Sequence, residues 1–399
     1  MNIAFCYESV VPARGGCETY IADLARRLVA DRHQVHVYAS TWDAQTLPKE
    51  ITFHPLRALG GPRFLRPWRF SRSCLNALRQ NVHDVTVGFD KTWGQDILYP
   101  QAGLHLASTE CNLRKHRWGL TRWLARGLKK FDLAAWSYAR LERRQYMTEP
   151  RPLIVVNSEL VRGHFRHYYP EVPNEEIHVV RSAIDLNRFT ENDRPRSRLE
   201  FRREWNIPDG ALVGLFAAMN YRLKGLDPLL NSLRRMLAQP EFVKAPPVFH
   251  LVVAGNPKTN SYRRLAQRLG VEKHVIFVGH RQDMRACYFA ADFFVHPTFY
   301  DTCSLVVLEA LACALPVITT SYSGVSELLK DAREGYVISD PHDHDKLAWC
   351  MRQFFDADIR AACSRAARRT AAQWTFEHHY RQILGVFAEA MARNEAIAA

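Results

Sequence analysis

Short apolar runs recur along the chain, and amphipathic stretches separate them. Residues 2–7 form the first run. A loop with Gly15 and Gly16 follows, then a stretch over 20–28 with apolar residues at helical spacing, and then a second run at 35–38. Strand, loop, helix and strand in this order form a βαβ unit, which predicts a parallel sheet with helices on both faces.

Two successive arrays of such units are predicted. The strand patterns lie at 2–7, 35–38, 85–89 and 153–156, and then at 212–216, 249–255, 275–279, 293–296 and 316–320. We therefore expect an α/β protein with two facing Rossmann-like, doubly wound domains, 1–185 and 186–374, and an interdomain cleft, because ligands of such sheets bind at the carboxyl ends of the strands. The final helix, about 375–399, is expected to pack back on the first domain. Residues 186–210, charged and with two prolines, are the expected boundary segment.

The segment 300–317 carries the most informative candidate chemistry. Asp301 and Glu309 lie eight positions apart, and Ser304 lies between them where a helix is predicted to begin. The free N–H groups of a helix start form an anion site that could receive a diphosphate, while the two carboxylates could meet different hydroxyls of one ligand. The residues alone leave a second interpretation open, in which Asp301 caps a turn and Glu309 lies on a helix surface.

This segment resembles the carboxylate–seven residues–carboxylate motif of glycosyltransferase family 4, which comprises retaining, nucleotide-sugar-dependent enzymes of the GT-B fold. The resemblance implies that Asp301 binds hydroxyls of the donor sugar and that Glu309 binds the ribose. It assigns the diphosphate to the backbone amides of Cys303, Ser304, Leu305 and Val306. Asp301 stands where the family usually has Glu. Ala314 replaces a usual glycine, a change expected to affect packing alone.

Further motifs match the family over nearly the whole chain. Gly15 and Gly16 resemble the first glycine-rich loop, which approaches the donor phosphate and the acceptor. Lys224 matches the lysine that contacts the diphosphate. Ala218 occupies the place of the family's usual arginine, so Arg222 is the candidate for the second positive charge. The loops expected around the nucleotide base carry Gly255, Gly279, His280 and Arg281.

A narrower resemblance concerns the acceptor. Residues 5–6, 87–91 and 141–143 resemble the lipopolysaccharide core glucosyltransferases that add glucose from UDP-glucose to the first inner heptose. This implies a hexosyltransferase with a UDP-sugar donor and a lipid-anchored glycan acceptor, working at the inner face of the cytoplasmic membrane. His105 is then the candidate polar group near the acceptor, because an imidazole can accept a proton near neutral pH. The predicted catalytic set is His105, Lys224 and Asp301.

Other functions remain open. One is a family 4 transferase that acts on another lipid-linked or cell-surface glycan, and a second is a GT-B nucleotide-sugar epimerase. A non-catalytic carbohydrate-binding protein is a third. A nucleic-acid-binding protein would account for the net charge of +13, but not for Lys224 or the Asp301–Glu309 pair. The sequence does not indicate an oligomeric state.

The positive charge is uneven: arginines recur over 57–79, and a second basic stretch over 114–144 also contains Trp and Tyr. Cations interleaved with aromatic rings suit an anionic membrane surface. The members assigned to that surface are Arg122, Arg126, Lys129 and Lys130. The alternative is a solvated helix face whose aromatic side chains pack inward. No signal peptide or membrane-spanning run is recognisable in the sequence, so we expect a peripheral protein.

No cofactor or metal is expected. The nine cysteines form no Cys-x-x-Cys pair, which argues against a disulfide framework or a cysteine-rich metal site and favours a reducing compartment. Asp343 and Asp345, with two neighbouring histidines, superficially resemble a metal site. They directly precede a predicted helix, so helix capping is the expected role.

Overall fold

The computed structural model describes residues 1–12, 15–57, 60–116, 119–130, 132–190, 193–246 and 248–398, without the side chains of Leu128, Lys130 and Ala398. Arg117, Trp118 and Phe131 of the basic stretch, and the side chain of Lys130, therefore lie outside the described part. The chain forms two compact units, Met1–Arg181 with Glu377–Ala399, and Ser182–Phe376. None of the described helices is both long enough and apolar enough to cross a membrane.

Unit 1 is built on a parallel sheet. Its strands are Asn2–Cys6 (β1), Ser9–Val10 (β2), Gln34–Ala39 (β3), Thr41–Trp42 (β4), Thr52–Pro55 (β5), Val85–Phe89 (β6), Ile97–Tyr99 (β7), Leu153–Val156 (β8) and Ile177–Val179 (β9). Its first helices are Gly16–Ala30 (α1), Arg66–Leu78 (α2), His105–Cys111 (α3), Gly119–Lys130 (α4), Leu133–Met147 (α5) and Glu159–Tyr168 (α6). The seven-stranded sheet has the order β5-β3-β1-β6-β7-β8-β9, and β2 pairs with β4 separately.

Unit 2 repeats this architecture. Its strands are Leu212–Ala218 (β10), Phe249–Gly255 (β11), Val275–Gly279 (β12), Phe293–His296 (β13), Val317–Thr320 (β14) and Gly335–Ile338 (β15). Its helices are Arg194–Glu204 (α7), Leu226–Leu237 (α8), Pro240–Lys244 (α9), Asn260–Leu269 (α10), Arg285–Ala290 (α11), Leu305–Ala312 (α12), His344–Gln353 (α13) and Ala357–Gln373 (α14). The parallel sheet runs β12-β11-β10-β13-β14-β15. The predicted α/β class with two parallel sheets is confirmed.

The last helix, Phe376–Ala398 (α15), belongs to unit 1. Its apolar face, with Tyr380, Ile383 and Phe387, is buried in the same core as β1 and α1. The Tyr20 hydroxyl lies 2.8 Å from Nε2 of His379, whose ring is almost completely buried. The end of the chain therefore completes the hydrophobic core of the unit in which the chain begins.

Each sheet has one place where the strand order reverses. In unit 1 the chain leaves β1 toward β3 on one side, and β6 lies on the other. In unit 2 the same relation holds for β10, with β11 on one side and β13 on the other. The loops after the two central strands diverge at such a point and leave a crevice for a ligand. The fold thus predicts one site at β1 and β6 and another at β10 and β13.

The expected boundary segment 186–210 begins just after the observed boundary between Arg181 and Ser182. It lies wholly inside unit 2, and α7 occupies its middle. Arg198 and Arg202 donate to opposite oxygens of the Asp292 carboxylate at 2.8 and 3.1 Å, and Arg202 is buried. Two of the charges in this segment are thus paired with a residue about ninety positions away.

The alanine at position 314 was expected to affect packing alone, but it affects the backbone conformation as well. It follows the end of α12 with φ of 55°, in the left-handed region that glycine adopts without strain. Its side chain is nearly buried. An alanine here costs about 1 kcal/mol relative to a glycine in the same conformation.

A histidine cluster lies beside the first strands of unit 1. Nδ1 of His36 is 2.9 Å from Nε2 of His54, and Nε2 of His83 is 2.9 Å from the Tyr38 hydroxyl. The His54 ring stacks on Tyr38 with centroids 4.2 Å apart. Burial lowers the pKa of His36 and of His54, and it lowers the pKa of His83 to about 4. These rings are therefore neutral at pH 7.

Candidate functional site

The crevice of unit 2 is formed by the loops after β10 and β13. Gly225 begins α8 with φ of 85°, and a Cβ added there would lie 2.0 Å from the carbonyl oxygen of Pro297. Only glycine allows this approach. The backbone N–H of Phe299 also donates to the Leu223 carbonyl at 2.9 Å. The two loops are thereby held together, and each brings one charged side chain to the crevice.

Those side chains are Lys224 and Asp301, which form an ion pair. Nζ of Lys224 lies 2.6 Å from Oδ2 of Asp301 and 3.1 Å from the carbonyl oxygen of Tyr300. The same Oδ2 is 3.0 Å from Nε2 of His296. Burial opposes ionisation of Asp301, but the two neighbours outweigh it and lower the pKa of the carboxyl. The structure thus brings two of the predicted catalytic residues into direct contact.

His296 was not predicted as a site residue. It is the last residue of β13, is 1% exposed, and its ring lies nearly parallel to those of Phe294 and Phe216, with centroids 6.1 and 6.5 Å away. Burial lowers its pKa although the contact with Asp301 acts in the opposite direction. A neutral ring with its proton on Nε2 donates to Asp301 and fixes the direction of that carboxylate. Its position at the carboxyl end of a parallel strand could have identified it from sequence.

The start of α12 provides the expected backbone donors. Ser304 is the residue before the helix, and its carbonyl accepts from the N–H groups of Val307 and Leu308 at 3.2 Å. The N–H groups of Leu305 and Val306 precede these first intrahelical bonds, so the helix itself does not use them. Cys303 is buried, and burial raises the pKa of its thiol to about 12. The thiol is therefore neutral and adds no negative charge beside this helix start.

Glu309 lies in the middle of α12. It is half-buried, and Oε2 accepts a 2.6 Å hydrogen bond from the Tyr288 hydroxyl. Glu309 is thus not a freely solvated surface carboxylate, which was the alternative interpretation from sequence. Tyr288 itself is completely buried in α11 and was not anticipated. The tyrosine restricts the carboxylate to one direction.

The residues predicted around the nucleotide base have different environments. Gly255 ends β11 with φ of 113°, and a Cβ there would lie 2.1 Å from the Ala218 carbonyl oxygen, so glycine is required. Gly279 ends β12 with φ of 70°, and His280 after it is exposed. Arg281 instead donates to Glu204 at 2.6 Å and lies over the Trp205 ring. Its guanidinium is thus already engaged within the protein.

Ala218 and Arg222 are the two positions relevant to a second positive charge at the diphosphate site. Ala218 ends β10 and is half-buried, and its carbonyl is the group that approaches Gly255. Arg222 lies in the turn before Lys224 and is exposed. It is therefore free to reorient toward an anion bound near Lys224, and it remains the candidate for that charge.

The crevice of unit 1 is a cavity of about 430 Å³. The loops after β1, β6 and β7 contribute to it together with α5. Its walls combine aromatic rings with carboxylates and one lysine. They include Tyr7, Glu18, Phe70, Asp90, Lys91, His105, Tyr138 and Glu142. Aromatic faces beside hydrogen-bonding carboxylates suit a ligand with alternating apolar and hydroxyl surfaces.

Glu142 and His105 are linked within this cavity. The carboxylate of Glu142 accepts from the backbone N–H groups of His105 and Leu106, where α3 begins. The Tyr169 hydroxyl also donates to it, at 3.0 Å. Burial raises the pKa of Glu142 to about 7. Burial and the nearby Lys91 lower the pKa of His105 to about 4, so its ring is neutral at pH 7 and able to accept a hydrogen bond.

Asp90 and Lys91 follow β6 directly. Asp90 has φ of 51°, and its Oδ1 accepts from the Ala102 N–H at 2.9 Å. Burial raises the pKa of Asp90 and lowers that of Lys91, whose ammonium lies 3.7 Å from the centroid of the Tyr138 ring. Neither residue was predicted as functional, although both follow the end of β6, one of the two strands between which the strand order reverses.

The glycine pair lies where α1 begins. Gly15 precedes the helix, and its carbonyl accepts from the Thr19 N–H at 3.1 Å, while Gly16 is the first helical residue. Gly15 has φ of 178°, which is extended backbone that any residue adopts. A Cβ there would meet only the flexible Glu18 carboxylate. The backbone conformation at Gly15 therefore does not itself require glycine.

The basic stretch is only partly a solvated surface. Arg122 and Arg126 on α4 are exposed, and Arg126 lies 3.9 Å from Glu110. Lys129 is half-buried and donates to the Thr109 carbonyl at 2.9 Å, and burial lowers its pKa. The Lys129 ammonium is therefore partly engaged within unit 1, unlike the exposed guanidinium groups of Arg122 and Arg126. Trp123 and Trp136 are 70% and 64% exposed, so the alternative in which the aromatic side chains pack inward fails for both.

Asp343 and Asp345 have structural partners. Asp343 caps α13 by accepting from the Lys346 N–H at 2.9 Å, which confirms the expected capping role. Asp345 forms an ion pair with Arg235. Across the described ranges, no group of three or more His, Cys, Asp or Glu side chains is arranged to hold a metal ion.

Comparison with known proteins identifies both halves of the chain. Residues 14–188 match the domain described as Glycosyltransferase Family 4, and residues 197–370 match Glycosyl transferases group 1. Over 372 residues the chain is 25% identical to lipopolysaccharide glucosyltransferase WaaG of Escherichia coli strain K12, covering 93% of this chain and 94% of that protein. It is 26% identical over 410 residues to D-inositol 3-phosphate glycosyltransferase of Salinispora tropica, covering 95% and 82%.

Solved structures agree on the fold. The crystal structure of WaaG superposes with a TM-score of 0.80 at 23% identity, covering 96% of this chain and 99% of that one. Anabaena HepE in complex with UDP-glucose gives a TM-score of 0.69 at 18% identity, covering 98% and 100%. These likenesses concern architecture, whereas the two domain matches concern the family. The chain is therefore a glycosyltransferase of the GT-B fold and belongs to glycosyltransferase family 4, with a group 1 domain in its second half.

Proposed function

We propose that the protein transfers a hexose, glucose, from a UDP-sugar to a membrane-bound glycan acceptor, the inner-core heptose of lipopolysaccharide, with retention of configuration. The observation that carries this proposal is the Lys224–Asp301 pair beside the start of α12, at the strand-order reversal of unit 2. The cation and the backbone donors of the helix start match the diphosphate of a nucleotide sugar, which is also its leaving group, and the carboxylate matches the sugar hydroxyls.

On the donor side, Lys224 and the N–H groups of Leu305 and Val306 would hold the diphosphate. Asp301, oriented by His296, would accept from sugar hydroxyls, and Glu309 would accept from the ribose. Separate roles for the two carboxylates are supported by their contacts, because His296 orients Asp301 and Tyr288 orients Glu309. Anabaena HepE has been solved with UDP-glucose, which supports this donor class.

On the acceptor side, the cavity of unit 1 would receive the glycan. Carboxylates of Asp90 and Glu142 can accept from sugar hydroxyls, while the rings of Phe70 and Tyr138 cover the apolar faces of a sugar. Neutral His105 is able to accept a hydrogen bond from the attacking hydroxyl. WaaG, 25% identical along nearly its whole length, is named as a lipopolysaccharide glucosyltransferase, which motivates the choice of acceptor.

The chemistry requires stabilisation of a leaving diphosphate. Negative charge grows on it as its bond to the anomeric carbon breaks, and preorganised cations and N–H groups lower the barrier most when they fit that charge. Lys224 is preorganised by Asp301 and the Tyr300 carbonyl. In our proposal the leaving diphosphate itself takes the acceptor proton, the acceptor attacks from the same face, and no metal ion is needed.

The acceptor's location suggests attachment to the inner face of the cytoplasmic membrane. Arg122 and Arg126 are exposed on α4, and Trp123 on the same helix is mostly exposed. Each Lys or Arg near an anionic surface contributes about 1 kcal/mol of binding. These residues would hold unit 1, and so the acceptor cavity, against the headgroups.

A second acceptor class has a specific observation in its favour. Several similar relatives are named as D-inositol 3-phosphate glycosyltransferases, one of them 26% identical over 410 residues. Such an acceptor is small and needs no membrane. Its phosphate would require a cation in the unit 1 cavity, where Lys91 is the lysine among the lining residues.

The experiment that separates these functions measures UDP release from a panel of UDP-sugars. Each donor is tested without acceptor, with lipopolysaccharide lacking the core glucose, and with inositol 3-phosphate. The proposal requires release that is fastest with UDP-glucose and depends on the lipopolysaccharide acceptor. Acceptor-dependent release with inositol 3-phosphate alone would replace the proposed acceptor. Release that needs no acceptor would point to hydrolysis or epimerisation chemistry.

A further inference from the structure

A second cavity of unit 1, which the proposed reaction does not use, opens between the start of α2 and α5. It has a volume of about 320 Å³ and is lined by Phe64, Leu65, Trp68, Leu133 and Trp136, together with Ser137 and Arg140. All but two of these side chains are apolar. We call this cavity the α2–α5 groove. It lies outside the strand-end crevice, although Tyr138 of the same helix lines the acceptor cavity.

The indole N–H of Trp68 and the hydroxyl of Ser137, two polar groups at the groove, are satisfied internally. Nε1 of Trp68 donates to Oγ of Ser137 at 3.0 Å, and that hydroxyl donates to the Phe64 carbonyl at 2.7 Å. Ser137 is buried. The hydrogen bonds tie α2 to α5 and fix the groove open. Because the hydroxyl and the indole N–H are both paired, the groove presents an apolar surface to whatever enters it.

Large apolar side chains are exposed both at the groove and on α4, the helix that precedes α5. Leu133 and Trp136 at the groove are 66% and 64% exposed, and Leu120 and Trp123 on α4 are each 70% exposed. A cluster of large exposed apolar side chains marks an interaction site rather than ordinary solvent surface. The proximity of rings, leucines and cations is typical of protein surfaces that lie in the membrane interface.

One of the residues that line the groove carries a positive charge. Arg140 lines it, is exposed, and holds its guanidinium 5.7 Å from the centroid of the Trp136 ring. Arg63 and Arg69 are exposed and lie near Phe64 and Trp68 in sequence, but the Arg69 guanidinium donates to the Gly60 carbonyl and the charge of Arg63 acts on Lys91 of the acceptor cavity. An apolar groove with an arginine at its edge is complementary to a molecule with a hydrocarbon part and an anionic head. A purely apolar protein partner would leave Arg140 without an anionic counterpart.

We propose that the α2–α5 groove binds one acyl chain of an anionic membrane phospholipid, with the headgroup at Arg140. The proposal rests on the membrane attachment proposed above and deepens it, because charge alone gives attraction to a surface but no fixed depth or orientation. An inserted chain would anchor unit 1 at a defined height beside its acceptor cavity. The ligand class is a single hydrocarbon chain bearing a phosphate ester.

The first test uses monomeric lysophosphatidylglycerols of increasing chain length, below their micelle concentrations, with binding measured by calorimetry. Affinity should rise about fourfold per added methylene and then level off when the groove is full. Glycerophosphoglycerol, which has the headgroup without a chain, should bind at least a hundredfold more weakly than the longest chain. Equal binding of headgroup and lipid would overturn the proposal.

A matched pair of variants tests whether the acyl chain binds in the groove. Leu133→Glu and Leu120→Glu each replace an exposed leucine in the first turn of a helix with the same charge, but only Leu133 lines the groove. Glu is favourable near a helix start, so both variants should fold. Leu133→Glu should weaken lysolipid binding more than tenfold, and Leu120→Glu less than twofold. Equal losses would show diffuse surface adsorption and would overturn the groove assignment.

The headgroup contact has its own readout. Arg140→Gln should weaken binding of lysophosphatidylglycerol several-fold and binding of lysophosphatidylcholine by less, because the choline cation already neutralises the phosphate of the latter. Vesicle sedimentation then separates this inference from the proposed function. Lysolipid binding without attachment to anionic vesicles would support the groove as an acyl-chain site and would contradict the proposed membrane attachment. Vesicle attachment without lysolipid binding at any chain length would overturn the groove proposal and assign the groove to another partner.

Discussion

Replacing Lys224 with methionine removes the ammonium from the proposed diphosphate site and keeps the aliphatic stem. The ammonium lies 2.6 Å from Asp301 and its side chain is 21% exposed, so it is partly desolvated before a ligand arrives. A hydrogen bond to a charged group contributes about 1.5–3 kcal/mol. Loss of the cation also leaves the Asp301 carboxylate facing the diphosphate. The expected total is about 2–4 kcal/mol, or roughly 30- to 1000-fold in the dissociation constant of UDP-glucose.

Calorimetric titration of UDP-glucose measures this change. Asp301→Asn is the informative partner variant, because it removes the repulsive charge while keeping a hydrogen-bonding side chain. It should leave UDP affinity unchanged or slightly better, but lower turnover through the sugar contact. In the double variant the two effects should be non-additive, with a coupling of about 0.5–3 kcal/mol.

Lys273→Met provides the control. Lys273 is exposed just before β12, at the amino end of the sheet and so opposite the proposed site. Lys273→Met changes the net charge of unit 2 by the same amount as Lys224→Met and should leave UDP-glucose binding unaltered. If Lys224→Met bound UDP-glucose as tightly as the wild type, the diphosphate assignment would be wrong. An equal loss in Lys273→Met would instead attribute the effect to net charge.

The remaining predictions concern separate parts of the molecule. Glu309→Gln should weaken binding of free UDP about tenfold, and unchanged affinity would remove its ribose role. Turnover should survive EDTA, whereas loss on chelation with recovery in Mg²⁺ or Mn²⁺ would contradict metal-independent catalysis. The pKa of His83 is about 4 in the folded protein and near 6.5 in an unfolded chain, so unfolding takes up a proton between these pH values. The free energy of unfolding should therefore fall as the pH drops from 6.5 to 4. His83→Asn should make this fall smaller, as measured by urea titrations at several pH values. Replacing Arg122 and Arg126 by Gln should reduce sedimentation with anionic vesicles while leaving turnover on a short soluble acceptor nearly intact, and equal binding of the wild type to neutral and anionic vesicles would show these arginines to be an ordinary solvated face.

The architecture was predictable because parallel strands are buried on both faces and read as continuous apolar runs. The runs at 212–216 and 249–255 correspond to β10 and β11. Strands β7 and β9, with three residues each, were not predicted, since so few positions show neither a run nor a period. The pairing of α7 with Asp292 could not be predicted, because the two lie about ninety residues apart in sequence.

The candidate sites were predictable where chemistry is local. Asp301 and Glu309 lie in one segment, and their family motif fixes their spacing. His296 could have been included, since it ends the strand that precedes that segment. The contact of Glu142 with the start of α3 spans 37 positions and depends on the packing of α5, which no local pattern reveals. The inward direction of Lys129 likewise depends on a carbonyl twenty residues away.

The central claim is transfer of a hexose from UDP-glucose to a lipid-anchored glycan, and the mass spectrum of the acceptor after reaction tests it most directly. Lipopolysaccharide lacking the core glucose is incubated with UDP-glucose and either the wild type or Lys224→Met. We predict that the wild type adds one hexose to the acceptor, and that Lys224→Met adds far less in the same time. An acceptor of unchanged mass, with UDP-glucose intact or merely hydrolysed, would contradict the account.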